Sequence, residues 1–315
     1  MQNCGQLWAI VLAAGSGERL EPFLRRQGYQ RPIKQFCAII GRRTMLQHTW
    51  KRVEMIVPRE QVLTVVDLKH RDTFRSQLAS RSSRTVIGQP ANRETAPGTL
   101  LPLAHVLRAD PEALVAVFPS DHFILEEQRF MLYVELAQWT VRRRTEEIVI
   151  LGVAPDRPDP DYGWIELKRA GRLTHSWLLP VEHLWEKPDA STAQALHEGG
   201  HVWSTMVTVA KAATLWHFIC DAQPHLQRPF ERIRDAIGTA AETAETNSVY
   251  AGLRRASLSA DVFARNPSRL SALRVRDVHW SDWGREERIK ETLLQLGKYH
   301  EVDTESWSAA ALAYQ

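Results

Sequence analysis

Short apolar runs alternate with amphipathic segments along the first half of the chain. Apolar runs bounded by turn-forming residues predict strands, and apolar residues at helical spacing predict helices. The predicted strands are Leu7–Ala13, Gln61–Val66, Thr85–Gly88, Ala113–Phe118 and Ile148–Val153. The predicted helices between them are Thr44–Val57, Arg71–Ala79, Ala96–Arg108 and Gln128–Arg143. This alternation predicts βαβ units in an α/β fold with a doubly wound, mostly parallel sheet.

The second half of the chain mixes further strands with helices. Three more strands are predicted over Tyr162–Leu167, Trp177–Trp185 and Trp203–Val209. A short helix over Ala193–His197 has Ser191 as its expected N-cap, and helices are expected from Lys211 onward. No low-complexity linker or internal repeat interrupts the chain, so one compact unit is the simplest interpretation.

Composition narrows the class of protein without identifying a function. Of the 315 residues, 44% are hydrophobic and 24% are charged, as in an ordinary globular protein. The net charge of +3 is too small and too dispersed to indicate a nucleic-acid partner. The three cysteines lie far apart without a CxxC pair, which argues against a disulfide framework or a zinc site. No signal peptide or membrane span is recognisable, so we expect a cytoplasmic protein with no membrane partner.

A glycine-containing loop at positions 12–20 follows the first predicted strand. Gly15 and Gly17 would let the backbone N–H groups approach a phosphate, and Arg19 and Lys34 would add cations for phosphate oxygens. A GxG segment alone is equally compatible with a tight turn. The loop is neither the dinucleotide GxGxxG motif, because position 20 is Leu, nor a P-loop, because no GK[ST] follows. A dinucleotide-dependent dehydrogenase is therefore poorly supported.

Two aspartates at separate positions form a candidate metal site. Asp121 follows an apolar strand, and Asp282 lies in a Trp-Ser-Asp-Trp-Gly segment far along the chain. Mg²⁺ is usually held by one or two carboxylates together with phosphates and waters, which two strand-end aspartates would suit. The alternative is that Asp121 caps the following segment and Asp282 forms a turn.

Several segments together resemble the sugar-phosphate nucleotidylyltransferase family, and in particular its mannose-1-phosphate guanylyltransferase branch. The matching segments are LAAGSGERLEP (12–22), PIKQF (32–36), QPANRETAP (89–97), PSDH (119–122), YGWIE (162–166), EKP (186–188) and WSDWG (280–284). The resemblance runs from about Leu7 to about Leu296. It implies a Rossmann-like, nucleotide-diphospho-sugar transferase-like fold with a C-terminal α/β substrate-binding portion.

The resemblance also assigns residues to roles. Arg19, Lys34, Asp121 and Asp282 would be catalytic, the two aspartates holding Mg²⁺. The nucleotide would be bound by Ala13, Ala14, Gly15, Ser16, Gly17, Gln89, Asn92 and Thr95. The sugar phosphate would be bound by Tyr162, Gly163, Glu186, Lys187 and Ser204, although Tyr162 and Trp164 are equally compatible with core positions. His122 receives no catalytic role.

The chain departs from the family pattern at four positions. Glu18 replaces Ser or Thr, Ile33 intrudes before Lys34, Glu94 replaces Asn or a small residue, and Ser204 replaces Asn. Glu94 would add negative charge near an anionic ligand, and the Ser204 hydroxyl is shorter than an amide with fewer donors. These two changes bear on substrate identity and on activity.

The resemblance implies condensation of a sugar 1-phosphate with a nucleoside triphosphate, with pyrophosphate as the second product. Mannose 1-phosphate and GTP are the expected pair. The alternatives are another substrate pair, or a catalytically weakened homologue that binds nucleotide or sugar phosphate. One nucleotidylyltransferase domain is expected over 1–296, with its nucleotide-binding half at 1–155, its sugar-binding half at 156–296 and a tail at 297–315. Homo-oligomerisation is compatible with the sequence.

Overall fold

The computed structural model describes residues 5–168 and 177–297, so Cys4 and the predicted tail beyond Gly297 lie outside the described residues. The strands are β1 Leu7–Leu12, β2 Val62–Asp67, β3 Val86–Gln89, β4 Leu114–Pro119, β5 Phe123–Ile124, β6 Ile148–Val153, β7 Gly163–Leu167, β8 Leu178–Glu186, β9 Val202–Lys211, β10 Leu270–Val275 and β11 Trp280–Ser281. The helices are α1 Glu21–Arg26, α2 Met45–Val53, α3 Arg71–Leu78, α4 Thr95–Ala109, α5 Glu127–Arg143, α6 Ala190–Glu198, α7 Ala212–Ala222, α8 Pro224–Ala236, α9 Glu242–Gly252 and α10 Glu286–Gln295.

The main sheet has nine strands in the order β3-β2-β1-β4-β9-β6-β10-β8-β7. The strands β1, β2, β3, β4, β6 and β10 run in one direction. β8 and β9 run antiparallel to them, and β7 pairs with both β8 and β9. The prediction of an α/β fold with a mostly parallel, mixed sheet is therefore confirmed.

Helices cover both faces of the sheet because successive strand residues point to opposite sides. On β1, Ile10 packs into the apolar cluster beneath α4, α7, α8 and α9, whereas Ala9 and Val11 pack into the cluster beneath α2 and α5. A third cluster joins the N-terminal α1 to the C-terminal α10, with Leu20 and Phe23 on one side and Trp283 and Ile289 on the other. This third cluster therefore packs α1 against α10.

The predicted strands and helices are found, with differences mainly at their ends, but two predictions are wrong. The N-cap of α6 is Asp189, whose carboxylate accepts the Thr192 N–H at 2.7 Å, and Ser191 instead donates to that carboxylate. β10 lies inside a region expected to be helical. Its apolar pattern is interrupted by Ser271 and Arg274, whose side chains donate to Glu147 and to the Gly200 carbonyl respectively. These tertiary contacts have no local sequence signal.

Across the described parts of the chain, none of the helices combines the length and apolar character required to traverse a bilayer.

The start of α2 provides a direct test of helix capping. Thr44 accepts the Gln47 N–H at 3.3 Å, and the Gln47 side chain accepts the Thr44 N–H at 2.9 Å, so both halves of a capping box are present. We expect Thr44→Ala to lower the free energy of unfolding by about 1 kcal/mol, because a buried helix end loses its acceptor. Thr44→Ser keeps the hydroxyl and is the control. Equal stability of the two variants in urea unfolding would contradict this role.

Candidate active site

The candidate site lies at the carboxyl ends of two neighbouring parallel strands. β1 and β4 pair in register with Leu12 opposite Pro119, so the glycine loop after β1 and Asp121 after β4 leave the sheet side by side. Asp282 lies at the same edge of the sheet because of a different strand pairing. It follows β11, which pairs antiparallel with β5 just after Asp121. Two residues far apart in sequence are thereby brought to one edge of the sheet.

A cavity of about 320 Å³ opens at this edge. Its walls include all four predicted catalytic residues, Arg19, Lys34, Asp121 and Asp282, together with Ser16 and Gly17. Arg19 is exposed and makes no hydrogen bond or ion pair with other described residues. Cations and carboxylates therefore surround one volume of the size that small-molecule sites occupy.

Lys34 is the most deeply buried charged group of this cavity, with only 4% of its surface exposed. Its Nζ lies 3.0 Å from Oδ2 of Asp121 and also donates to the backbone carbonyl of Asp282. The extra Ile33 before it is buried in the core, and the Lys34–Phe36 turn points the lysine toward the cavity. Lys34 thus connects both aspartates as well as lining the place expected for phosphate.

The carboxyl of Asp121 remains ionised at neutral pH. Burial by itself raises its pKa, but the neighbouring Lys34 ammonium and His122 outweigh burial, so the pKa lies below its ordinary value. The nearest ring nitrogen to its second oxygen, Oδ1, is Nε2 of His122 at 3.8 Å. The His122 ring packs edge-on against Trp280, and burial lowers its pKa, which favours a neutral packing role.

The two oxygens of the Asp282 carboxylate have different surroundings. Oδ1 accepts the Gly284 N–H at 2.8 Å and the Arg288 Nη1–H at 2.5 Å. Arg288 also contacts Asp159 and lies over the ring of Tyr162, 3.7 Å from its centroid. Arg288 was not predicted from the sequence, because a single arginine on an amphipathic helix carries no motif.

The glycine loop is held by side chains that bind its carbonyl oxygens. Gln35 donates to the carbonyls of Ala13 and Gly15, both at 2.8 Å, and Asn92 donates to the carbonyl of Ala14 at 3.2 Å. The N–H groups of Ala14, Gly15, Ser16 and Gly17 have no hydrogen-bond partner within the described chain. Unpaired N–H groups in such a loop are suited to binding phosphate oxygens. Gln35 was missed as a site residue, although it is part of the PIKQF segment.

Gly17 is required by both its conformation and its surroundings. Its φ is +64°, in the left-handed region that disfavours other residues. A Cβ at this position would lie 3.0 Å from the Cβ of Lys34 and 3.1 Å from its backbone nitrogen. The loop therefore packs directly on the lysine that joins the two aspartates.

Asn92 and Thr95, two of the residues predicted to bind the nucleotide, make hydrogen bonds within the protein. Asn92 accepts the Glu94 N–H at 2.9 Å, and Thr95 accepts the Leu258 N–H at 2.8 Å. Gln89 is buried, with no partner for its Oε1 among the described residues. These side chains lie outside the cavity that contains the aspartates, and their prediction as nucleotide-binding residues stays a prediction.

Glu94 has a strained backbone and a paired side chain. Its φ of 72° and ψ of −177° fall in a region that is essentially restricted to glycine. Its carboxylate forms an ion pair with Arg255, so the added negative charge has a local counter-ion. The negative charge of Glu94, which was expected to disturb an anionic ligand, is thus neutralised by Arg255.

The predicted sugar-side residues form a second group. A Cβ on Gly163 would lie 3.6 Å from Oε2 of Glu186 and 3.6 Å from the Cβ of Ser204, so the three residues adjoin. Ser259, which the sequence did not indicate, donates to Glu186 at 2.6 Å from a π-helical turn, a geometry often found at functional sites. Lys187 Nζ lies 3.8 Å from Glu186, and its φ is +51°.

Tyr162 and Trp164 belong to the core rather than to an open surface. Tyr162 is 3% exposed and Trp164 is fully buried. The Tyr162 hydroxyl lies 3.2 Å from the hydroxyl of Ser281, and its ring contacts Trp203. Tyr162 therefore links the start of β7, which carries Gly163, to the segment that carries Asp282.

Residues 8–295 match the family model described as Nucleotidyl transferase, and the chain belongs to this family. The match confirms the family resemblance drawn from the motifs.

Relatives with assigned names match over much of the chain. The xanthan biosynthesis protein XanB of Xanthomonas campestris pv. campestris (strain B100) is 30% identical over 262 residues, covering 82% of this chain and 51% of that protein. Mannose-1-phosphate guanylyltransferase of Escherichia coli K12 is 30% identical over 238 residues, covering 74% and 48% respectively. The chain thus spans about half the length of these relatives.

A solved structure shares the fold. The crystal structure of a protein described as a mannose-1-phosphate geranyltransferase from Thermus thermophilus has a TM-score of 0.74 and 27% sequence identity. The likeness covers 88% of this chain and 76% of that one.

Strain at Glu94 can be tested by substitution. Glu94→Gly should raise the free energy of unfolding by about 1 kcal/mol, because strain of about 1–3 kcal/mol is relieved against a smaller entropic cost of glycine. Glu94→Gln is the matched control, since it loses the Arg255 ion pair but keeps the strained backbone. A Gly variant that is no more stable than the Gln variant in denaturant titrations would contradict the strain.

Proposed function

We propose that the chain transfers a nucleotidyl group from a nucleoside triphosphate to a sugar 1-phosphate and releases pyrophosphate. The observation that carries the proposal is one cavity lined by the cations Arg19 and Lys34 and by the carboxylates of Glu18, Asp121 and Asp282, next to a loop whose N–H groups have no partner among the described residues. Family membership supports the reaction class. The name of the Escherichia coli relative, together with the motifs, favours GTP and mannose 1-phosphate as the substrate pair.

The reaction would be an in-line displacement at the α-phosphorus of the nucleotide. An oxygen of the sugar phosphate forms the new P–O bond, and the bond to the β-phosphate oxygen breaks as pyrophosphate leaves. The attacking oxygen is already an anion, so neither a general base nor a covalent enzyme intermediate is required. Catalysis would then rest on alignment and on neutralisation of charge.

The cations of the cavity match the demands of this reaction. Arg19 is exposed and unpaired within the described residues, so its planar guanidinium is available to bind phosphate oxygens in pairs. Lys34 would stabilise the departing pyrophosphate from the floor of the cavity while remaining close to Asp121. The N–H groups at 14–17 would surround the remaining phosphate oxygens.

The carboxylates of Asp121 and Asp282 fit a divalent cation. Each has one oxygen that accepts a hydrogen bond from another residue and one oxygen, Oδ1 of Asp121 and Oδ2 of Asp282, that accepts none from any other described residue. No group of three or more acidic, histidine or cysteine residues that could hold a metal ion occurs among the described residues, so a cation here would need phosphates and waters to complete its ligands. Bound Mg²⁺ would screen the α-phosphate charge from the incoming anion.

The sugar phosphate would be bound on the side of β7 and β8. Glu186 would accept hydrogen bonds from sugar hydroxyls, with Ser259 fixing one of its oxygens, and Gly163 leaves the backbone open beside it. Lys187 would steer the phosphate toward the cavity. The Ser204 hydroxyl accepts the Met206 N–H at 3.3 Å, so its part in the sugar site would be to keep the strand in shape.

The two departures from the family pattern at Glu94 and Ser204 fit an active enzyme better than a weakened homologue that only binds its ligands. The carboxylate of Glu94 is neutralised by Arg255, and Ser204 preserves a local backbone contact. Neither change removes a cation or a carboxylate from the cavity.

The substrate pair and the aspartates can be tested in one assay of pyrophosphate release. With Mg²⁺, release is expected to require both GTP and mannose 1-phosphate, among GTP, UTP, dTTP, CTP and ATP offered with mannose or glucose 1-phosphate. Asp121→Asn should lower kcat on the order of 10²–10³-fold, because an electrostatic contact at the reacting phosphate is lost.

The matched control is Asp277→Asn, an exposed aspartate whose φ of 54° suits asparagine equally. It should keep wild-type turnover. Full turnover by Asp121→Asn would refute the mechanism. Activity with another substrate pair would keep the mechanism and change the assigned substrates, whereas nucleotide binding without release would favour the weakened homologue.

A further inference from the structure

Arg288 is a buried cation held from three sides. It lies on α10 with 5% of its surface exposed. Its Nη2 lies 3.0 Å from both oxygens of Asp159, and its Nη1 lies 2.5 Å from Oδ1 of Asp282. The face of the guanidinium rests on the ring of Tyr162. A planar group with contacts in its plane and on its face has one orientation, so its position is fixed.

The charges around Arg288 form an ordered network rather than an isolated pair. Asp161 lies 3.8 Å from Arg288 and 2.6 Å from Arg285, and Arg157 lies 3.5 Å from Asp159. A buried cation is stabilised only when such partners replace its lost hydration. Arg288 is placed between the loop before β7 and the segment after β11.

Arg288 makes the two oxygens of Asp282 unequal. Oδ1 receives both Arg288 and the Gly284 N–H, whereas Oδ2 receives no donor from the described residues. A Cβ on Gly284 would lie 2.9 Å from Oδ2, so glycine at this position leaves that oxygen uncovered. The carboxylate is therefore oriented with one oxygen bound to protein and the other accessible.

We propose that Arg288 is a positioning residue that presents Oδ2 of Asp282 to the divalent cation. The inference rests on the proposed function, in which Asp282 is a metal ligand. Mutation of a residue that hydrogen-bonds to a metal-ligating carboxylate typically lowers metal affinity or activity by about 10–100-fold. Lysine carries the same charge but cannot contact Asp159 and Asp282 through one rigid fork.

The test is Mn²⁺ binding to the full chain, followed by the electron paramagnetic resonance signal of free Mn²⁺. Arg288→Lys is expected to weaken Mn²⁺ binding about tenfold or more. The matched control is Arg157→Lys, the same change at an arginine that also contacts Asp159 but makes no ion pair with Asp282. Its Mn²⁺ affinity should equal that of the wild type.

The assay of pyrophosphate release gives a second readout. For Arg288→Lys, the Mg²⁺ concentration at half-maximal rate should rise while the KM for the sugar phosphate stays unchanged. Wild-type Mn²⁺ affinity in Arg288→Lys, or equal weakening in both lysine variants, would overturn the proposal. If Arg288→Lys does not fold, Asp159→Asn is the variant to measure, because it weakens the contact that holds Arg288 on the side away from Asp282. Weaker Mn²⁺ binding by Asp159→Asn would support the positioning role of Arg288, and wild-type affinity would refute it.

Asp282→Asn separates this inference from the proposed function. Undiminished Mn²⁺ binding by Asp282→Asn would remove Asp282 as a ligand, and both proposals about the metal would fail together. Weakened binding by Asp282→Asn with normal binding by Arg288→Lys would overturn only the role of Arg288.

Discussion

The ammonium group of Lys34 joins the parts of the site that the chain supplies from distant positions. It contacts the carboxylate of Asp121, 87 residues away, and the backbone carbonyl of Asp282, 248 residues away. A charge this deeply buried is stable only when partners replace its hydration, so the two segments must approach it in the folded state. Gly17 packs on the same lysine, which makes the glycine loop the third segment fixed by this interaction.

Packing around this contact explains how the site keeps its geometry. Beneath it, the apolar cluster of α1 and α10 holds the N-terminal loop against the C-terminal helix, with Leu20 and Trp283 in its interior. Beside it, the short β5–β11 pairing sets the register between the segments of Asp121 and Asp282. The cavity is thus built by packed and paired elements at the carboxyl edge of the sheet, where open α/β folds bind ligands.

The sequence predicts the elements and the family well because both depend on local patterns. Apolar runs locate most strands, and the motifs around Gly15, Asp121 and Asp282 indicate one reaction class. Predictions fail where a tertiary contact determines the outcome. The polar residues of β10 find partners elsewhere in the fold, and Arg288 acquires its surroundings only when α10 docks. None of these residues sits in a recognisable motif, so no periodicity or spacing could have indicated them.

In the proposed reaction, nucleotide, metal and both aspartates meet in one cavity. The most direct measurement is a crystal structure with Mn²⁺ and a non-hydrolysable GTP analogue, with the metal located by anomalous diffraction. We expect a metal peak at the carboxylates of Asp121 and Asp282, with the triphosphate against the loop N–H groups at 14–17. A metal bound elsewhere, or a triphosphate that leaves this loop untouched, would contradict it.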